Sequence, residues 1–262
     1  DQSRVLGLFE SGAYASELAG SSFWLGQITD NSITDEENII ITRYLGTNDR
    51  NIDVFDLGPR DVTGTLTYFP QDARLIFWTI GSVVSTSGTN AYHRVSEINS
   101  NVRQNAYTSG ALNPPWSFTI EDSKATVGGT TGSTLVRTIR GIIPSVVTVT
   151  ASQNEKVTVS LDYIGQTLTA SGGATPTAVT EDTTTSYLWS HATLRLGGIG
   201  ANAGSLVDTA KEVSLEINQN RTAPHYLNGS RDISVPFEGN RNYNLNVTLD
   251  LEGVYAERLY RN

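Results

Sequence analysis

The sequence predicts a mainly β protein, a β-sandwich or partial barrel with one flanking α-helix. Three observations predict it. Apolar and polar residues alternate with a period of two over most long segments, the spacing of strands that pack one face and wet the other. Of 262 residues, 57 are Ser or Thr and 24 are Gly, while only 17% are charged, a composition of strands joined by many turns. A single segment switches to helical spacing. No Pro/Ser linker divides the chain, so residues 1–262 read as one domain with insertions at about 82–113 and 170–186.

The elements follow in chain order. Short strand candidates cover 22–29 and 38–44, and the acidic run Asp35, Glu36, Glu37 between them reads as a solvated loop. In RDVTGTLTYF, Val62, Leu66 and Tyr68 face one way while Asp61, Thr63, Thr65 and Thr67 face the other. PQDARLIFWTIGS breaks the pattern: Ala73, Ile76, Phe77 and Ile80 make a helical stripe, entered at Pro70 and closed at Gly81. After strand candidates at 116–121 and 134–140, SVVTVTASQNEKVTVSLDY reads as a hairpin. Its oily face is Val147, Val149, Ala151, Val157, Val159, Leu161 and Tyr163, its polar face Thr148, Thr150, Thr158, Ser160 and Asp162. ASGGATPTAVTEDTTTS, residues 170–186, has almost no large apolar side chain to reward ordering and reads as a mobile loop. Residues 187–196 and 231–236 are further strand candidates. KEVSLEIN sets Val213, Leu215 and Ile217 against Ser214, Glu216 and Asn218. YNLNVTLDLE sets Leu245, Val247, Leu249 and Leu251 against Asn244, Asn246, Thr248, Asp250 and Glu252.

The chemistry of catalysis is missing from this pattern. There is no cysteine, and His93, His191 and His225 lie far apart, so neither thiolate nor paired-histidine metal sites are expected. No G-x-S-x-G, phosphate-loop, H-E-x-x-H or EF-hand sequence occurs, and RLGGIGANAG reads as a loop. The carboxylate pairs Glu121-Asp122 and Glu181-Asp182 read as solvated turns. Trp24, Trp78, Trp116 and Trp189 are spread as core or interface anchors, and the sequons at Asn220, Asn228 and Asn246 read as chance. No enzyme activity, metal or cofactor is therefore expected. A formal charge of −9, with −6 of it in residues 1–60, is wrong for clamping nucleic acid by phosphate neutralisation. No segment has the roughly 20 apolar residues of a membrane-spanning helix, and no signal peptide is legible in the first twenty residues.

The order and spacing of five segments resemble a known family. FWLGQI (23–28) is similar to an early W-x-G strand. GPRDVTGTLTYFPQDARLIFWTIGS (58–82) is similar to a strand-then-helix unit. PPWSFTIE (114–121), the hairpin segment 137–165 and the closing segment 212–253 follow in turn. This succession resembles the tail tube protein (major tail protein) of a long-tailed double-stranded DNA virus. The resemblance implies six copies per ring, rings stacked into a hollow tube for genome passage, and hairpins joining between subunits into a lumen wall. Implied partners are further copies of the chain and the tape-measure, tail-terminator and baseplate proteins. Viral DNA would pass without sequence-specific binding, no membrane would be involved, and the protein would be made in the host cytoplasm and reside in the virion tail.

Under this reading the lumen side draws on Thr148, Thr150, Thr158, Ser160, Asp162, Glu216, Asn246, Thr248, Asp250 and Glu252. Contacts between rings draw on residues 1–19, on Asp35, Glu36 and Glu37, and on the Arg-rich loop with Arg221 and Arg231. Two other classes compete. One is a different virion structural β-protein (baseplate, fibre or capsid decoration), which would form trimers or monomers rather than tubes. The other is a carbohydrate-binding or hydrolytic β-sandwich. It calls for aromatic side chains around a groove with a carboxylate pair, whereas the alternation here is wet with Ser and Thr.

Overall fold

A computed structural model describes residues 2–10, 14–42, 54–72, 75–76, 79, 81–86, 92–97, 117–125, 134–196, 205–206, 210–237 and 239–250. The strands are β1 (Gln2–Glu10), β2 (Glu17–Phe23), β3 (Gln27–Thr42), β4 (Val54–Phe69), β5 (Gly81–Thr86), β6 (Tyr92–Glu97), β7 (Phe118–Ala125), β8 (Thr134–Ser152), β9 (Thr158–Gly165), β10 (Thr167–Gly172), β11 (Arg195–Leu196), β12 (Ser205–Leu206), β13 (Ala210–Asn218) and β14 (Asn242–Leu249). Ten of them form one antiparallel network, with β5–β6 and β11–β12 as separate ribbons.

The 19-residue β8 divides that network into two leaves. Its first half pairs with β7 and β10, giving leaf one in the order β2-β1-β7-β8-β10. Its second half pairs with β9 and β13, giving leaf two in the order β3-β4-β9-β8-β13-β14. The change of leaf falls where the sequence allows a bend. Gly141 has φ 68°, which only glycine adopts without cost, and a bulge follows between Pro144 and Val146. Strands that pass from one sheet to another at such a corner are typical of sandwiches. Glu10 braces this corner: its carboxylate accepts from the amides of Gly141 (2.7 Å) and Ala15 (2.9 Å) and from the hydroxyls of Thr119 and Ser117.

The alternation read from sequence sets the core. Val62, Leu66 and Tyr68 of β4, Val159, Leu161 and Tyr163 of β9 and Val147 of β8 pack with Phe118, Ile120, Ile139 and Ile142 of leaf one in a single buried cluster. Burial pushes the Tyr68 and Tyr163 phenols well above the usual tyrosine range. Of the expected helix, Leu75, Ile76 and Thr79 are described and are helical. Leu75 and Thr79 are buried, and the Thr79 hydroxyl donates to the Leu75 carbonyl one turn back. Ala73, Phe77 and Ile80 lie outside the described residues.

Several expectations are corrected. Of the segment 1–19 expected at ring contacts, residues 2–10 form a strand of the sheet. β1 sits inside leaf one between β2 and β7, with Leu6 and Leu8 fully buried. The acidic run is not a loop but the middle of β3, where Asp35, Glu36 and Glu37 pair with Val62, Asp61 and Arg60 of β4. Residues 187–196 form a 3₁₀ turn, Trp189–His191, and then the two-residue β11. Residues 231–236 form no strand beyond a bridge from Asp232 to Arg60. The segment 82–113 carries the β5–β6 ribbon. The Thr-rich segment, read as mobile, is laid across leaf one as a strap held by polar groups rather than by buried apolar area. Glu121 accepts from the amide and hydroxyl of Thr177, the Arg4 guanidinium donates to the Thr177 carbonyl, Ser22 donates to Ala178, and Gln71 donates to Asp182 and Thr184. Glu121 and Asp122 are accordingly buried, the latter paired with Arg137.

Candidate functional site

The side of leaf two that faces away from the core is a wide polar surface built by strand register. Because strand side chains alternate sides, directly paired residues share a face. One row across the leaf reads Ser32, Thr65, Asp162, Val146, Asn218, Asn242. The next reads Asp30, Thr67, Ser160, Thr148, Glu216, Asn244, and a third Thr158, Thr150, Ser214, Asn246. The only charged groups in these rows are the carboxylates of Asp30, Asp162 and Glu216. None of the three rows contains Lys or Arg. The surface is also internally satisfied: the Thr65 hydroxyl donates to Asp162 at 2.7 Å, and the Asn244 amide donates to Glu216 at 3.1 Å.

The structure thus brings together Thr148, Thr150, Thr158, Ser160, Asp162, Glu216 and Asn246 on one face, with Thr248 a row further on opposite Glu212. Asp250 follows the end of β14 and is paired with Lys211 at 2.7 Å; Glu252 lies outside the described residues. Thr65, Thr67, Ser214, Asn242 and Asn244 join the same face although they were not singled out from sequence. Their alternation was visible, but only the pairing of β4 with β9 and of β13 with β14 places them beside the hairpin.

The charged candidates gather at the other end of the leaf. Arg60 holds Asp35 in a two-pronged pair (2.7 and 2.6 Å), reaches the Leu168 carbonyl and approaches Glu37 at 3.8 Å. Its guanidinium holds the Asp35 carboxyl below the usual carboxylate range. Arg231 pairs with Glu37 (3.5 Å) and donates to the Gly58 carbonyl, while the Arg60 amide donates to the Arg231 carbonyl. The loop thereby takes over the β4 edge where β9 ends opposite Val62. His225 meets Asp61 at 3.0 Å, and Arg221 donates to the Pro144 carbonyl. Asp35, Glu37, Arg221 and Arg231 are therefore engaged within the chain, and Glu36 stands on the polar side opposite Asp61.

Nothing among the described residues groups three or more metal-ligating side chains, and no described helix is long and apolar enough to cross a membrane. The arrangement is an extended polar surface beside a braced cluster of charges. Residues 74–261 match the family described as phage tail tube protein. The chain belongs to that family. Its role is structural, as a component of the tube of a phage tail. No curated protein matches the chain. Within this tail tube protein the matched span takes in β5 to β14 and so most of the polar face, whereas β1, β2, β3 and β4 precede it.

Proposed function

We propose that six copies of this chain close into a ring, that rings stack into a hollow tube, and that the polar face of leaf two lines the bore through which the phage genome passes. One observation carries the reading. Rows of hydroxyls, amides and carboxylates run across six strands and end at β3 and β14, which pair with no further strand among the described residues. Such a face wets a channel without gripping what moves through it. DNA binds where cations replace its counterions, and in these three rows phosphate meets only neutral dipoles and carboxylates, whose negative charge repels it.

Bare edges are an aggregation hazard in a protein that stays single and an assembly device in one that pairs them with copies of itself. The same head-to-tail logic between rings produces an open filament. Asp35, Glu36, Glu37, Arg221 and Arg231 act in stacking as parts of a braced platform of strand and loop rather than as free charges. Tape-measure, terminator and baseplate proteins then meet the tube at its bore and ends. Negative-stain imaging of the concentrated protein tests the reading. Hollow tubes of uniform bore are expected, and compact trimers or persistent monomers would refute it.

A further inference from the structure

The loop between β13 and β14 carries a dipeptide that occurs nowhere else in the chain. Asn228-Gly229 is the sole Asn-Gly pair in the sequence, and there is no Asp-Gly pair. Every other asparagine is followed by a residue with a side chain, except Asn262, which ends the sequence. The loop is built as a stem with a tip. In the stem Thr222 and Phe237 exchange amide-to-carbonyl bonds (3.0 and 2.9 Å), and the Ser234 amide donates to the Pro224 carbonyl at 2.9 Å. The tip, residues 226–230, is exposed at every position.

The tip sets the Asn228 side chain against the backbone that follows it. The Ser230 amide donates to the Asn228 side-chain carbonyl at 3.0 Å. In such a turn the asparagine side chain folds back over the next peptide group, here that of Gly229. The Asn228 amide donates to the Tyr226 carbonyl at 2.8 Å and holds the turn from its other side. Gly229, at φ 78°, has no Cβ to crowd the approach, and its surroundings hold no atom within 4 Å of where one would be. Among the described residues nothing accepts from the Gly229 amide or from the Asn228 side-chain nitrogen. Neither group has a protein hydrogen bond to give up before reacting.

We infer that Asn228 is a site of self-modification, deamidating through a succinimide to aspartate and isoaspartate. The Gly229 nitrogen loses its proton to solvent base and attacks the Asn228 Cγ. The new N–Cγ bond closes a five-membered ring. The bond from Cγ to the side-chain nitrogen then breaks, and that nitrogen takes up a proton and leaves as ammonia. Negative charge gathers on the side-chain oxygen during the attack, where the Ser230 amide already donates, as backbone amides do in an oxyanion hole. Water opens the ring at either carbonyl. Opening at Cγ gives aspartate in an ordinary chain. Opening at the backbone carbon gives isoaspartate, whose main chain is one atom longer.

Both products add a negative charge to the loop that carries Arg231, the partner of Glu37 at 3.5 Å. The stem bonds and the sheet take no part in the reaction, so the tip ages while the core stays as it was. Nothing in this reaction depends on assembly, and its test is independent of whether rings or tubes form.

The dilute, unassembled chain is kept warm at mildly alkaline pH, sampled over days and mapped by tandem mass spectrometry. A gain of about one dalton, the exchange of an amide for an acid, should build up in the peptide holding Asn228 several times faster than at any other asparagine. The same peptide should become a substrate for an isoaspartyl methyltransferase. No gain at Asn228, or equal gain at asparagines that precede larger residues, would overturn the inference. Asn228→Gln should stop the gain on this timescale, because a six-membered ring closes far more slowly, and an unchanged rate would overturn it too. A second measurement compares the folded chain with one unfolded in guanidinium chloride at the same pH and temperature. Asn228 should react at least as fast in the folded chain, whereas slower reaction there would overturn the inference that the turn promotes the attack.

Discussion

Replacing Glu10 by Ala removes the group that holds the corner where β8 changes leaf. The carboxylate accepts from two backbone amides and two hydroxyls. The Ser117 and Thr119 hydroxyls can rotate toward other acceptors, but the Ala15 and Gly141 amides are fixed by the backbone. A stranded buried donor costs about 1–3 kcal/mol. Two of them, at a site only partly buried, put the loss at about 2–4 kcal/mol. For a chain of this size each kcal/mol lowers the melting temperature by about 2–4 °C, so Glu10→Ala should melt about 5–15 °C below the unaltered protein. Glu10→Gln keeps one acceptor oxygen and should lose about half as much. Thermal unfolding followed by circular dichroism on the dilute, unassembled chain measures both. A loss below about 0.5 kcal/mol in Glu10→Ala, the range of an ordinary surface change, would refute the claim that this carboxylate braces the corner.

Gly64→Ala should destabilise by about 1–3 kcal/mol in urea unfolding, because its Cβ would collide with the Tyr163 hydroxyl and with the Ser32 carbonyl, a backbone atom that cannot swing aside. Asp35→Asn should cost about 1 kcal/mol at pH 7, the value of a two-pronged, partly exposed pair. Asp35 has its folded pKa below its unfolded one, so its contribution is present above the unfolded value and is lost as pH falls through the folded one. The difference between the two proteins should therefore shrink as urea titrations move from pH 7 to below about pH 4, and a difference independent of pH would refute the pairing. Glu121→Gln should weaken the strap, seen as faster amide exchange at Thr177 with little change in global melting. Asp162→Lys with Glu216→Lys should leave tubes intact and slow genome ejection, and unchanged ejection would count against these residues as part of the bore.

The strands legible in the sequence are those with one dry and one wet side. The face sets Val62/Leu66/Tyr68, Val159/Leu161/Tyr163 and Leu215/Ile217 follow the alternation because a core presses on that side alone. β3 was hidden for the opposite reason. As an edge strand it is wet on both sides for most of its length, so Asp35, Glu36 and Glu37 carry no period and look like a loop. β1 was hidden because its short run SRVLGLFE shows no clean alternation although Leu6 and Leu8 are buried. The strap and the Glu121-Asp122 pair depend on partners far along the chain: Thr177 is 56 residues from Glu121, and Arg137 is 15 from Asp122. The polar face was legible strand by strand, while its width required the pairing order.

β4 carries one residue more between Leu57 and Arg60 than β3 carries between Ile39 and Glu37, and this extra residue is a kink rather than a switch of sides. Excising Pro59 would set Gly58 opposite Asn38 and leave Leu57 opposite Ile39, so Phe55 and Leu57 would keep the flank they occupy. What would go is the bend and the added twist that a bulge puts into a ribbon. The tip of β3 and β4 would then run straight on and point elsewhere, the same surface aimed at a different spot.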